Sequence, residues 1–165
     1  MSEPNKNKFE WRTVSIYRDR KYEYIVNKLV YDKDSAIFKH IKDLMVFSAM
    51  IGHCFNKRLP VSNYSEAISI ILGTYANTEH DGFIYLMALM DKKNATCLKD
   101  QNLLQSVKIF EEYCNGGLDL INDWFNSNPG DTLKTETIEK KILEMIDFDE
   151  ANKIHGSNDD LEVDF

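Results

Sequence analysis

Two adjacent glycines, Gly116 and Gly117, sit in the middle of the longest helical pattern of the 165-residue chain. Leu103, Val107, Phe110, Cys114, Gly117, Ile121 and Trp124 recur at steps of four and three, which puts them on one face of a helix over about residues 101–125. Two glycines cost about 2 kcal/mol against alanine in a helix interior. Something must offset that cost: close helix packing, a kink, or a bound group. The pair therefore commits the chain to a tight approach at one known place, made either by another helix of the same fold or by a partner. Asn128-Pro129-Gly130-Asp131 then ends the helix as a turn.

The remaining patterns supply the other helices. Tyr22, Ile25, Val26, Leu29 and Val30 make one apolar stripe on a helix from Asp19 to Tyr31. Asp34 or Ser35 suits the cap of the next helix, over Ala36–Phe55. Its Ile37, Ile41, Leu44, Met45, Ser48, Ala49 and Gly52 share one side, and the small residues among them would let another helix come close. Lys57-Arg58-Leu59-Pro60 breaks the pattern, because the residue before proline is pushed toward extended geometry. Residues 66–75 are densely apolar, with Ala67, Ile68, Ile70, Ile71 and Leu72. Their β-branched content is compatible with a strand, but the helical surroundings favour a short buried helix.

Asp81 is expected to cap a helix over Gly82–Lys93. Phe83, Ile84, Leu86, Met87, Leu89 and Met90 cover most of its circumference, as in a helix central to a core. A last helix runs over Thr135–Phe148, with Ile138, Ile142, Leu143 and Ile146 inward. The expected fold is thus all-α, a compact bundle of about five or six helices, with one short strand pair near residues 57–75 as the variant. Residues 1–15 read as an N-terminal arm, 16–148 as one helical domain, and 149–165 as an acidic mobile tail.

A chain of this length can bury a real core without metal or disulfide staples. Cys54, Cys97 and Cys114 form no CxxC pair and are expected to be buried thiols outside any disulfide, in a reducing cytosol. The segment MSEPNKNKFEW lacks the apolar centre of a signal peptide. The longest apolar run, Phe83–Met90, is too short to span a bilayer. These features point to the cytoplasm and to no membrane partner. Charge is uneven: residues 1–60 balance at +5, 61–148 at −7 and 149–165 at −5, for a net −7. An acidic chain is a poor non-specific binder of nucleic acid, but a basic N-terminal third leaves room for a local patch. Lys39, Lys42, Lys57 and Arg58 are the residues that best suit phosphate contact.

Nothing in the sequence assembles a recognisable catalytic or metal-binding constellation. No histidine lies at HxxxH or HExxH spacing, and Glu79-His80-Asp81 reads as a surface turn. Nuclease-like spacing at Asp91-Lys92-Lys93 and Glu139-Lys140-Lys141 falls on expected helices rather than strands. No phosphate-binding GxxxxGK[ST] loop, GxGxxG or GxSxG elbow occurs. No catalytic, cofactor-binding or metal-binding residue is expected, and the reading is non-enzymatic.

Two stretches carry a resemblance. Phe38–Gly52 reads FKHIKDLMVFSAMIG, and Ile109–Leu120 reads IFEEYCNGGLDL. With the Arg58-Leu59-Pro60 turn between them, they resemble the bacterial DNA phosphorothioation-associated protein 4 family of the dnd, or DNA sulfur modification, systems. The matching positions are Lys42, Asp43, Leu44, Phe47, Ala49 and Gly52, then Arg58 and Pro60. The run from Ile109 to Leu118 follows, with position 114 variable. The resemblance implies an accessory role in a bacterial defence locus that marks DNA or restricts foreign DNA, and no known reaction. The leading expectation is a subunit that binds another protein of the same defence complex and helps it assemble, touching DNA directly or through that partner. A homo-oligomer is also compatible. Glu111, Glu112, Tyr113, Asn115, Gly116 and Gly117 are the expected partner-binding residues, with a helix crossing inside the fold as the competing use of the same segment. The alternatives are a DNA-binding regulator using the four basic residues, or a small nuclease or toxin.

Overall fold

The computed structural model describes residues 10–156, with side chains described to residue 147. The start of the expected arm (1–9) and the end of the expected tail (157–165) lie outside the described residues. The architecture is mainly helical with one small two-stranded antiparallel sheet. A 3-10 turn, Trp11–Thr13, leads into β1 (Ser15–Arg18). A second turn, Arg20–Tyr22, runs into α1 (Glu23–Val26) and a π turn, Asn27–Tyr31. The segment has the extent that its stripe predicts, and Tyr22, Ile25, Val26 and Leu29 are buried.

Helix α2 (Ile41–Cys54) begins at Ile41 rather than Ala36, and neither Asp34 nor Ser35 caps it. Residues 35–38 instead close the preceding π turn. The Ser35 hydroxyl donates to Lys28 O at 2.8 Å, and the N–H groups of Ile37 and Phe38 both donate to Leu29 O, at 2.8 and 2.9 Å. The residue at the start of α2 is His40, whose N–H donates to the Asp43 carboxylate at 3.2 Å, one half of a capping box.

The expected helix over residues 66–75 is half strand. β2 (Ile68–Ile71) pairs with β1, Ser15 opposite Ile71 and Arg18 opposite Ile68, and only Leu72–Ala76 is helical, as α3. The β-branched run takes the extended form because β1 supplies a ladder for it. The partner strand comes from residues 15–18, not from the 57–75 neighbourhood.

Helix α4 (Asp81–Lys92) ends where Lys93 turns left-handed, at φ 50°. It is not central. Ile84, Met87 and Ala88 are buried, whereas Phe83, Leu86 and Met90 remain exposed. The central element is α5 (Leu103–Ser127), which packs on α2, α4, β1 and the last helix. That helix, α6 (Thr135–Gly156), starts where the Asp131 carboxylate accepts the Lys134 N–H and the Thr137 N–H and hydroxyl, at 2.7–2.8 Å. Ile138 is buried and Ile142 half-buried, but Leu143 and Ile146 do not face inward: they are 53% and 49% exposed.

The glycines mark where α2 and α5 cross. A Cβ on Gly117 would lie 1.7 Å from Ser48 O, and one on Gly52 would lie 2.1 Å from Tyr113 O. A Cβ on Gly116 would lie 1.9 Å from Lys57 O, in the loop that follows α2. These are backbone atoms, which cannot swing aside. The close approach that the glycine pair requires is made inside the fold. Gly117→Ala is therefore expected to cost about 3 kcal/mol or more in urea unfolding, at or beyond the upper end of ordinary overpacking. Gly82→Ala in α4, where nothing lies within 4 Å, should leave the midpoint unchanged or slightly raised.

Candidate functional site

The segment Glu111–Leu118 of α5 forms a polar junction between several elements of the fold. On one side its side chains hold extended backbone. Glu111 is 3% exposed; one carboxylate oxygen accepts the Tyr17 N–H of β1 at 2.8 Å and the other accepts the Tyr64 hydroxyl at 3.0 Å. Asn115 Oδ1 accepts the Asp19 N–H at 3.0 Å, and Asp19 in turn accepts the Ser62 N–H at 2.9 Å. These bonds staple β1 and the 61–66 loop to α5.

On another side, the loop after α2 lies on α5. Leu59 N–H donates to Glu112 O at 2.9 Å, over the gap that Gly116 leaves. That contact delivers Arg58 and Lys57 to α5. Arg58 donates to Glu112 Oε2 through Nε at 2.9 Å and Nη2 at 2.5 Å, and through Nη1 to Asp91 Oδ1 of α4 at 2.7 Å. Tyr113 donates its hydroxyl to the same Asp91 oxygen at 3.0 Å. The guanidinium lies 5.1 Å over the Tyr113 ring, and the His53 ring meets that ring edge-on at 5.3 Å. Lys57 pairs with Asp119 at 2.7 Å, and Asp119 also accepts the Tyr22 hydroxyl at 2.9 Å.

The electrostatics follow from these partners. Partial burial works against the Arg58 charge, but Glu112 and Asp91 outweigh it and raise its pKa. Burial would raise the Asp119 carboxyl, but Lys57 and Tyr22 outweigh that and hold it below its usual range. Tyr113 is raised, first by burial and then by its bond to Asp91. The cluster is therefore a charge-compensated clamp. Asp91 and Glu112 both accept from the Arg58 guanidinium. Among the described residues no three metal-ligating side chains converge.

The four basic residues do not form one patch. Lys57 and Arg58 are neutralised at the α5 clamp. Lys42 is 6% exposed, with its ammonium donating to Thr74 O at 3.0 Å and to the Thr78 hydroxyl at 2.5 Å. Lys39 is exposed and shares a cavity wall with Lys42 at the start of α2. Of the six segment residues, only Glu112 is partly exposed, and Glu111, Tyr113, Asn115, Gly116 and Gly117 are buried against the chain itself. Sequence reasoning missed His53, Tyr64, Asp19 and Asp119 as members of the junction, and saw Asp91 only within Asp-Lys-Lys. No local signal marks them, because each is recruited by a residue far away in the chain.

A family model described as DNA sulphur modification system-associated protein 4 matches residues 15–162. No curated protein and no solved structure matches the chain.

Glu111 provides a test of the junction. Burial pushes its carboxyl above the ordinary value of 4.5, although Tyr17 and Tyr64 pull the other way. A raised carboxyl favours the folded state only while protonated, so stability is lost as pH rises from 4.5 through the raised folded value. Glu111→Gln keeps an acceptor without the buried charge, so its stability relative to the native chain should improve over that rise when urea curves are compared from pH 4 to 7. Glu111→Ala strands the Tyr17 N–H and should cost about 1–3 kcal/mol.

Proposed function

The chain belongs to the DNA sulphur modification system-associated protein 4 family, and from that premise we propose that it is a non-catalytic cytoplasmic subunit that binds another protein of that system and helps the complex assemble against foreign DNA. The observation that supports this reading is the second apolar face of α6. The inner face is satisfied by Ile138, with Ile142 and Met145 half-buried against the core. Leu143 and Ile146, one turn apart, stand in solvent on another side. Glu136, Glu139, Lys140, Glu144 and Asp147 surround Leu143. Only Glu144 among these carboxylates has an ion pair among the described residues, with Lys141 at 2.7 Å.

Among the described residues of α6 only Thr137 and Ile138 are fully buried, so this stretch, 135–147, draws little stability from its own domain. Apolar knobs ringed by carboxylates suit a partner groove that is apolar inside and basic at its rim. The segment Glu111–Gly117 is engaged within the fold, so partner recognition is assigned to α6 instead. Truncating a central apolar anchor of an interface costs about 2 kcal/mol or more.

Co-expression with each of the other proteins of the modification system, followed by size-exclusion chromatography, checks the reading. One of them should co-elute with the native chain. The pair Leu143→Glu and Ile146→Glu should weaken that association by about 100-fold or more while leaving the thermal midpoint of the free chain unchanged. Higher salt should slow association. Absence of any complex, or a complex indifferent to the double variant, would overturn it.

A further inference from the structure

Beyond that reading, we propose that the cavity at the start of α2 binds the phosphate group of a nucleotide. The cavity has a volume of about 410 Å³ and is lined by Lys39, His40 and Lys42 on its polar side. Val30, Ile41 and Ile70 supply an apolar wall, and Tyr31, 59% exposed, stands at its edge. In a chain of net charge −7, no carboxylate among the described residues lines this space. Asp43, next in the chain to Lys42, is engaged by the His40 N–H at 3.2 Å and faces His80 Nδ1 at 3.4 Å.

Lys42 carries the argument. The residue is 6% exposed, and its ammonium donates to two neutral oxygens, Thr74 O and the Thr78 hydroxyl. It has no carboxylate counter-ion among the described residues, and two bonds leave one of its three protons unused. A buried cation without an anion is unfavourable, and the cavity beside it is where an anion can sit. Lys39 and the positive end of α2, a 14-residue helix, add to the same potential. The apolar wall and Tyr31 suit the sugar and base of the ligand, since every base presents a face on which an aromatic ring can stack. The volume is that of a small-molecule pocket.

Deoxyadenosine monophosphate, titrated calorimetrically into the full chain, is the probe, with deoxyadenosine as the control lacking the anion. The monophosphate should bind and raise the thermal midpoint; deoxyadenosine should do neither. Lys39→Ala and Lys42→Met should each weaken binding by about tenfold or more, the loss of one charge-assisted bond. Lys108→Ala on α5, outside the cavity, should not. If Lys42→Met fails to fold, amide shifts of Ile41, Thr74 and Asn77 on titrating the native chain report the same site. A 5′-phosphorylated single strand run beside the monophosphate separates the sources: tighter binding of the strand assigns the site to DNA, equal binding to a free nucleotide. No binding at millimolar monophosphate, or binding unaffected by both lysine variants with no shift at those amides, overturns the proposal. Neither result depends on a protein partner.

Discussion

The rest of the fold depends on the crossing of α2 and α5 at Gly52 and Gly117. Backbone carbonyls of one helix occupy the space where the other would carry a Cβ, at 1.7 and 2.1 Å from the ideal position. Approach at that range brings many atoms to contact distance at once, and the collective dispersion gain offsets the poor helix propensity of the glycines. It also sets where the chain must go next. The loop leaving α2 is laid over Gly116, so Lys57 and Arg58 reach the α5 carboxylates and, through Asp91, tie α4 to the pair.

The other side of α5 solves a different problem. Among the described residues strand β1 has only β2 as a neighbour, and a two-stranded sheet is marginal alone. Glu111 and Asn115 accept backbone N–H groups of Tyr17 and Asp19, so α5 serves β1 as a lateral partner made of side chains. Glu111 accepts burial of its charge in return for two bonds that an apolar residue could not make. One helix therefore needs glycine toward α2 and the following loop, acceptors toward β1, and an aromatic and a carboxylate toward Arg58. Those simultaneous demands account for the side chains that Ile-Phe-Glu-Glu-Tyr-Cys-Asn-Gly-Gly-Leu carries in this chain. The run organises the packing of α5 against α2, β1 and the loop after α2.

Charge is sorted in the same way. Two basic residues of the first 60 are taken up by acidic residues of the later helices, Lys57 with Asp119 and Arg58 with Asp91 and Glu112. Two local concentrations of charge stand out, an acidic outer face on α6 and the lysines lining the cavity at the start of α2. Net charge and linear charge blocks do not reveal this, because pairing across the fold decides which charges stay available.

The sequence by itself determined the helices whose stripe is long and regular, and it located the tight contact. The pattern from Leu103 to Trp124 marks α5, and Gly116-Gly117 announces a close approach because two glycines in a helix are costly wherever they occur. Those are local properties, readable from spacing and propensity. Only the tertiary structure decided that the approach is made by α2 and the Lys57 backbone. It also decided that Ile68–Ile71 is a strand, since β1, about fifty residues earlier in the chain, supplies its hydrogen bonds. It turned Leu143 and Ile146 outward because α5 covers only one side of α6, and periodicity reports that a helix has an apolar face without reporting what lies against it. The glycine pair thus stated that something must come within backbone contact of α5; which backbone it was depended on where the whole chain had folded.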